Sequence, residues 1–502
     1  MKTKRSTKLL LLLAGGLLMA GTMSAQDHAQ DDPNMVSTPN AKVLDDNAIS
    51  GITNGQGSSQ GKGGFWGYAF GDYAYMGSGD SAGRGTKQQY KGLGAAGQNS
   101  GQNAFEIRRA YLGYDIAPDK KFSGCVLLAY EGDQDVNDNR TMYMKYAYFK
   151  WKNIFKGSDL KIGQQATTSF ASAYNTEPLM QYRAVEKTIM DMHGVDGSSD
   201  MGINLGGKIV TFHGDSTKFP AFIGYNVMVG DNSGNNPVAY FTGNATSLSG
   251  ASFSSPSTST STSTSSGGIT TTTTTKTTTT TSATLNPANN TTDNAKKFRM
   301  NLFVNALNGA LTVGGYMDFI NYGNTYYGTA KGYQKAVMTE KAYAVYNHKW
   351  FGIGVEWFQQ TMTNGEVETT YGAAKNTVDT TTATQTGLSI FAHGTIIQNC
   401  LNLFVRYDMY TADNAFSYSY NAASTLANHA NETFTEGFSN TSSTTPYKES
   451  FMTAGVDWTP YKDKKIHLMP NIWYYNIKNA YGSDNLASAN YMLYRLTFLF
   501  AF

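Results

Sequence analysis

The stretch "YMLYRLTFLFAF", residues 491–502, decides how the rest of the chain is read. Counting back from Phe502, every second residue (Phe500, Phe498, Leu496, Tyr494, Met492) is large and apolar or aromatic. Between them lie Ala501, Leu499, Thr497, Arg495, Leu493 and Tyr491, a mixture of small, polar, charged and apolar groups. A period of two is that of a β-strand, whose successive side chains point to opposite faces. In water, an unguarded ladder of phenylalanines on one face would aggregate. The pattern therefore predicts a closing strand that turns this face to lipid.

The other end of the chain predicts export. Lys2, Lys4, Arg5 and Lys8 precede the apolar run "LLLLLAGGLLMA" at 9–20, and small residues follow up to Ala25. This is the layout of a secretory signal over residues 1–25. The run is too short for a spanning helix, which needs about 20 apolar residues. No other long apolar stretch occurs and the mean hydropathy is −0.38, which excludes a helical membrane protein. Charged residues make up 15% of the chain, against about 25% in ordinary soluble proteins. Lys and Arg number 39 against 37 Asp and Glu, so net charge points to no nucleic-acid partner. Cys125 and Cys400 are the only cysteines, and two free thiols are expected.

Residues 26–64 are rich in Asp, Asn, Gly, Ser and Gln and read as a flexible periplasmic extension. Over residues 65–502, period-two segments recur about sixteen times, which predicts an all-β, antiparallel transmembrane barrel. The connections agree. Short ones such as "APDKK", "NIFKGS", "NHKW" and "PYKDK" alternate with long ones near 77–103, 133–140, 166–199, 231–296, 321–339, 363–385, 412–447 and 478–489. Tight periplasmic turns and long extracellular loops produce this parity, and a soluble sandwich has no reason to. The fourth long loop carries a Ser/Thr low-complexity tract at 254–284, expected to stay unpacked at the cell surface.

Facing patterns predict a wet interior. "LNLFVRYDMY" puts Leu401, Leu403, Val405, Tyr407 and Met409 on one side and Asn402, Phe404, Arg406 and Asp408 on the other. Strand parity sends Arg109, Lys145, Lys208, Arg299, Arg406 and Arg495 to the lumen, together with Asp115, Glu131, Asp318, Glu356, Asp408 and Asp457. Six basic groups against six acidic ones favour neither ion sign, and mutual pairing accounts for them as well as solute selection does. The segment "TMYMKYAYFKWK" at 141–152 has aromatics on both faces and takes no orientation from its pattern.

The third long loop, 166–199, holds Tyr174, Glu177, Arg183, Glu186, Lys187 and Asp191 in a moderately apolar frame, with one or two helical turns expected in "AVEKTIMDM". Apolar content of that kind predicts packing into the lumen, where the loop would constrict the pore. The bland alternative is a loop folded over the barrel mouth. Catalytic signals are weak. "GDSAG" at 79–83 matches G-x-S-x-G but lies in a Gly-rich loop without a following helix. "DQDVNDN" at 133–139 lacks the Gly and Glu of a calcium loop. No catalytic residue, metal or cofactor is assigned, and no enzyme is expected.

Two stretches, "FEIRRAYLGYDIAPDKKFSGCVLLAYEGD" at 105–133 and "LKIGQQATTSF" with "MGINLGGKI" between 160 and 209, resemble the phosphate-selective porin O and P family. Arg108, Arg109, Gly163 and Gln164 carry the resemblance. It implies a sixteen-stranded homotrimeric porin of the bacterial outer membrane whose third loop constricts the channel. The chain has nine Arg and reads "GQQATTS" where the family has "GQF-x-x-P", a departure that bears on anion selectivity. The expectation is passive diffusion of ions and small hydrophilic solutes, anions such as phosphate among them. Lipid would surround the wall, and the assembly machinery would read Phe498, Phe500 and Phe502. The alternative expectation is a surface adhesin with a plugged lumen.

Overall fold

Alternating side chains, with β-branched and aromatic residues abundant, give sixteen long strands: β1 (Gly64–Ser78), β2 (Asn103–Ile116), β3 (Phe122–Glu131), β4 (Tyr143–Phe155), β5 (Ser158–Ala166), β6 (Ser199–Phe212), β7 (Ala221–Gly230), β8 (Lys297–Ala306), β9 (Leu311–Thr325), β10 (Tyr333–Asn347), β11 (Phe351–Tyr371), β12 (Asn376–Ile397), β13 (Leu401–Ala412), β14 (Tyr447–Trp458), β15 (Ile466–Asn479) and β16 (Ala489–Ala501). Each pairs antiparallel with its neighbours in chain order. The ring closes where β1 meets β16, from Tyr68 opposite Ala501 to Ser78 opposite Met492. The structure is a computed structural model and describes residues 63–78, 101–131, 141–169, 184–185, 187–212, 221–232, 252–254, 259–266, 269–276, 280–282, 295–307, 310–325, 333–371, 376–412, 432–435, 447–461, 465–479 and 489–501. The signal, nearly all of the 26–64 extension, the motifs at 79–83 and 133–139, and Tyr174, Glu177, Arg183, Glu186 and Phe502 lie outside the described residues.

The turns follow from local chemistry. Asp119 Oδ1 accepts the backbone N–H groups of Lys121 and Phe122, both at 2.7 Å, and so closes the β2–β3 turn. Gly157, at φ 74°, makes the β4–β5 turn.

The alternation predicted for β13 and β16 is present. Leu403, Val405, Tyr407 and Met409 are exposed on the outer wall, while Phe404, Arg406 and Asp408 are buried inward. On β16, Tyr494, Leu496 and Phe500 are exposed, while Leu493, Arg495 and Thr497 are buried. A closed sheet leaves no unpaired edge, and its outer wall carries aliphatic and aromatic side chains. Those are the conditions for backbone to cross hydrocarbon. The protein is an outer-membrane β-barrel.

Three features depart from the sequence reading. First, β11 and β12 run on through the segment expected as a loop at 363–385, with Glu366–Tyr371 paired to Asn376–Thr381. That arm is rich in Thr and its sequence has no regular apolar alternation, so strand propensity acts there without an apolar period. Inside the low-complexity tract, Ser259–Ser266 pairs with Ile269–Lys276.

Second, two bulges reset the facing. Phe70 pairs with Arg109 but Gly71 with Ile107, so Arg108 is an extra residue and both arginines are buried inside. The close approach suits only glycine, because a Cβ on Gly71 would lie 2.2 Å from the Glu106 carbonyl. On β4, Leu127 pairs with Tyr146 and Leu128 with Met144, so Lys145 is the extra residue. This bulge is why the 141–152 pattern could not be oriented.

Third, the interior is not uniformly polar. Trp66, Tyr68, Phe70, Leu127, Phe404, Met469 and Leu499 form one inward apolar cluster, and Phe451, Trp473, Tyr475 and Tyr491 belong to a second.

Candidate functional site

The described residues between β5 and β6, 184–185 and 187–198 among them, lie against the barrel's inner wall. They contain one helical turn, α1 (Ile189–Met192), whose N-cap Thr188 accepts the Asp191 N–H at 3.1 Å. Ala184, Val185, Ile189 and Met190 are all 0% exposed. Their apolar side chains explain the inward packing, since a loop out in water would gain nothing from burying them.

Contacts along the segment move steadily round the ring. The Ala184 carbonyl accepts from Trp473 Nε1 on β15 at 3.0 Å and from Arg495 Nη1 on β16 at 2.9 Å. Arg406 on β13 donates to the Lys187 carbonyl. His193 stacks on Tyr410 of β13, with centroids 3.5 Å apart, and its Nε2 lies 3.8 Å from Glu449 Oε1 on β14. Gln360 on β11 donates to the Val195 carbonyl at 3.0 Å. Asp196 ends the path on β8, bound by Lys297 Nζ at 2.9 Å and by Arg299 Nη2 at 3.0 Å. The contacts of the described loop residues thus fall on β8, β11 and β13–β16.

Two loop groups are electrostatically perturbed. Burial, reinforced by Arg406, pushes the His193 imidazole down to about 3, which keeps it neutral at ordinary pH. Burial would raise the Asp196 carboxyl, but Arg299 and Lys297 outweigh it and hold that group well below the usual carboxylate range.

The twelve lumen candidates all occupy inward positions, and most are paired. Arg109 Nη1 lies 2.8 Å from Glu131 Oε1, which Lys145 and Tyr111 also contact. Arg299 also meets Asp200 at 2.6 Å, and Lys297 meets Asp318 at 3.1 Å. Arg406 Nε donates to Asp408 at 2.8 Å, and Arg495 meets Asp72 at 2.7 Å. Glu356 pairs with Lys341 at 3.0 Å, Asp457 with His467 at 2.9 Å, and Asp115 accepts from Trp66 Nε1 at 3.0 Å. Of the loop candidates, Lys187 and Asp191 are half-buried. Sequence reasoning missed Asp72, Arg108, Asp196, Asp200, Lys297, Lys341 and Glu449. Lys297 was legible, two residues before Arg299 on the same face; Arg108 was not, because only the bulge turns it inward.

Partly exposed inward side chains concentrate on β4–β7. Tyr146, Tyr148, Lys150, Lys161 and Asn226 are half-buried and Lys208 is exposed. Lys150 lies 3.1 Å from Asp159. The Lys208 ammonium sits 4.5 Å from the centre of the Phe222 ring, with no carboxylate partner among the described residues. Gly163, Gly202 and Gly206 keep this part of the wall low.

No protein-family model matches the chain, and no curated protein matches it. Solved structures similar to it include the outer-membrane channel DcaP of Acinetobacter baumannii, with TM-score 0.47 and 9% identity over 89% of this chain and 98% of that one. Others are OprB of Pseudomonas putida (0.46, 10%, over 88% and 94%) and an anion-selective porin from Comamonas acidovorans (0.44, 10%, over 88% and 99%). At these values the likeness is one of general architecture and does not extend to solute.

Proposed function

We propose that the protein is a porin, a water-filled channel through which ions and small hydrophilic solutes cross the outer membrane down their gradients, with anions favoured. The observation that carries this reading is the unequal inner wall. The inward loop makes its wall contacts within β8–β16 and most lumen charges are paired, whereas β4–β7 carries partly exposed polar groups, with Lys150, Lys161 and Lys208 against Asp159. Close-range charge on a channel wall selects by sign. The anion preference rests on these lysines alone, and a homotrimer is what the resemblance of 105–133 and 160–209 to phosphate-selective porins implies. In this reading Lys187 and Asp191 set the edge of the constriction, and the β16 ladder serves assembly.

The test is reconstitution in planar bilayers under a KCl gradient. A steady conductance with a reversal potential of the chloride sign supports the reading. A potassium-sign potential would overturn the anion preference, and silence from folded protein would favour the plugged surface barrel.

A further inference from the structure

Most cations of the inner wall sit beside carboxylates, but two on the outer wall do not. Lys448 on β14 and Lys478 on β15 stand directly opposite each other, at the end of the barrel from which the long connections leave. Both are exposed, and neither ammonium has a carboxylate, hydrogen-bond or ring partner among the described residues. Like charges directly across two strands destabilise a sheet, and an anion between them would relieve that repulsion. Toward the membrane the outward side chains of this strand pair change in order. Ser450 pairs with Asn476, Met452 with Tyr474, and Ala454 with Ile472. Asn490 on β16 accepts hydrogen bonds from Tyr474, at 3.0 Å, and from Asn476. From Ala454 and Ile472 onward the outer wall is hollowed into a groove of about 980 Å³ across β12–β16, lined also by Ala392, Gly394, Val456 and Pro470. These small residues make the hollow.

We propose that this face of β14–β15 seats one phosphorylated lipid of the outer leaflet, with its phosphate between Lys448 and Lys478 and an acyl chain in the groove. The charge at the rim and the groove below it are separate features of the same two strands, and a lipid phosphate joins them. Depth agrees with this placement. Lys448 and Ala454 are six positions apart. At about 3.4 Å per residue and a tilt of roughly 40°, that is ~15 Å of depth, one leaflet's share of a ~30 Å hydrocarbon core. Free phosphate would use the lysines and leave the groove empty. An uncharged lipid would fill the groove and leave the lysines repelling each other.

The experiment is native mass spectrometry of the full protein released from detergent micelles, with diphosphoryl lipid A, dephosphorylated lipid A or inorganic phosphate added. One diphosphoryl lipid A per barrel is expected. Lys448→Gln/Lys478→Gln should hold it roughly thirtyfold more weakly, since each lysine at a charged lipid surface contributes roughly fivefold. Lys448→Arg/Lys478→Arg should bind as the native protein does. Ala454→Trp, which fills the groove, should weaken binding roughly tenfold, the worth of about two buried methylenes. Inorganic phosphate at the same concentration should leave the lipid in place. Equal retention of dephosphorylated lipid A, unchanged binding by the double Gln variant, or displacement by inorganic phosphate overturns the proposal. So does an Ala454→Trp variant that keeps lipid A but changes the number of barrels per particle, because the groove would then belong to a second copy of this chain.

Discussion

Arg299 on β8 grips Asp196 of the inward loop at two points, Nη2 to Oδ1 at 3.0 Å and Nε to Oδ2 at 3.1 Å. Both residues are buried, and Lys297 and Ser169 also bind the carboxylate. Without Asp196, Arg299 keeps Asp200 and Lys297 keeps Asp318, so the loss falls on the loop's attachment rather than on the wall. Asp196→Ala should therefore loosen this end of the loop. Conductance should rise or flicker in single-channel records while the barrel still folds, and unaltered current would show that the anchor does not hold the constriction.

His193 gives the loop an acid sensitivity whose sign follows from its environment. Its docked value of about 3 lies below the ordinary 6.5, so the docked loop binds fewer protons than the released one between those limits. Docking is thus complete above about pH 6.5 and weakens as pH falls, by at most about 1.4 kcal/mol per unit. Glu449 faces the ring at 3.8 Å and tempers the effect, while Arg406 adds to it. Channel noise should increase from pH 7.5 to pH 4.5 in the native protein. His193→Phe, which keeps a ring against Tyr410, should flatten the profile; identical profiles would exclude this histidine as the cause.

Glu131 is the shared acceptor of Arg109, Lys145 and Tyr111. Glu131→Ala leaves two buried cations without it and should cost about 3–5 kcal/mol in urea unfolding from detergent micelles. Pairing it with Lys145→Met should recover part of that loss. A double variant no better than the single one would mean that the cluster's charges are not coupled.

The outer wall makes its own prediction. Leu496 is 45% exposed on the lipid face of β16 and Thr497 beside it is 0% exposed, facing inward. Leu496→Arg should cost about 2–4 kcal/mol if it lies near the bilayer midplane. Folding yield into liposomes should fall accordingly, and no effect would contradict the assigned facing.

These cases show which parts of the molecule the sequence discloses. Strands such as β13 and β16 were legible because lipid outside and wet or buried groups inside impose a strict period of two. Loop parity disclosed the topology, and the apolar frame around Ile189 and Met190 disclosed the inward loop. Arg108 was not assignable, because a one-residue bulge moves a side chain to the other face without a local signal. The β11–β12 arm escaped notice because its sequence lacks apolar alternation. The apolar interior around Trp66 and Phe404 was obscured by the expectation that inward means polar.

The claim at the centre of this account is that solute passes beside β4–β7, on the side the inward loop leaves open. The most direct measurement is cysteine accessibility during single-channel recording, in a background with Cys125 and Cys400 replaced. A negatively charged thiol reagent should reduce chloride current through Lys208→Cys and Asn226→Cys and leave Asp408→Cys, behind the loop, unmodified. Rapid modification of Asp408→Cys with no effect at the other two positions would place the passage on the opposite wall and contradict the account.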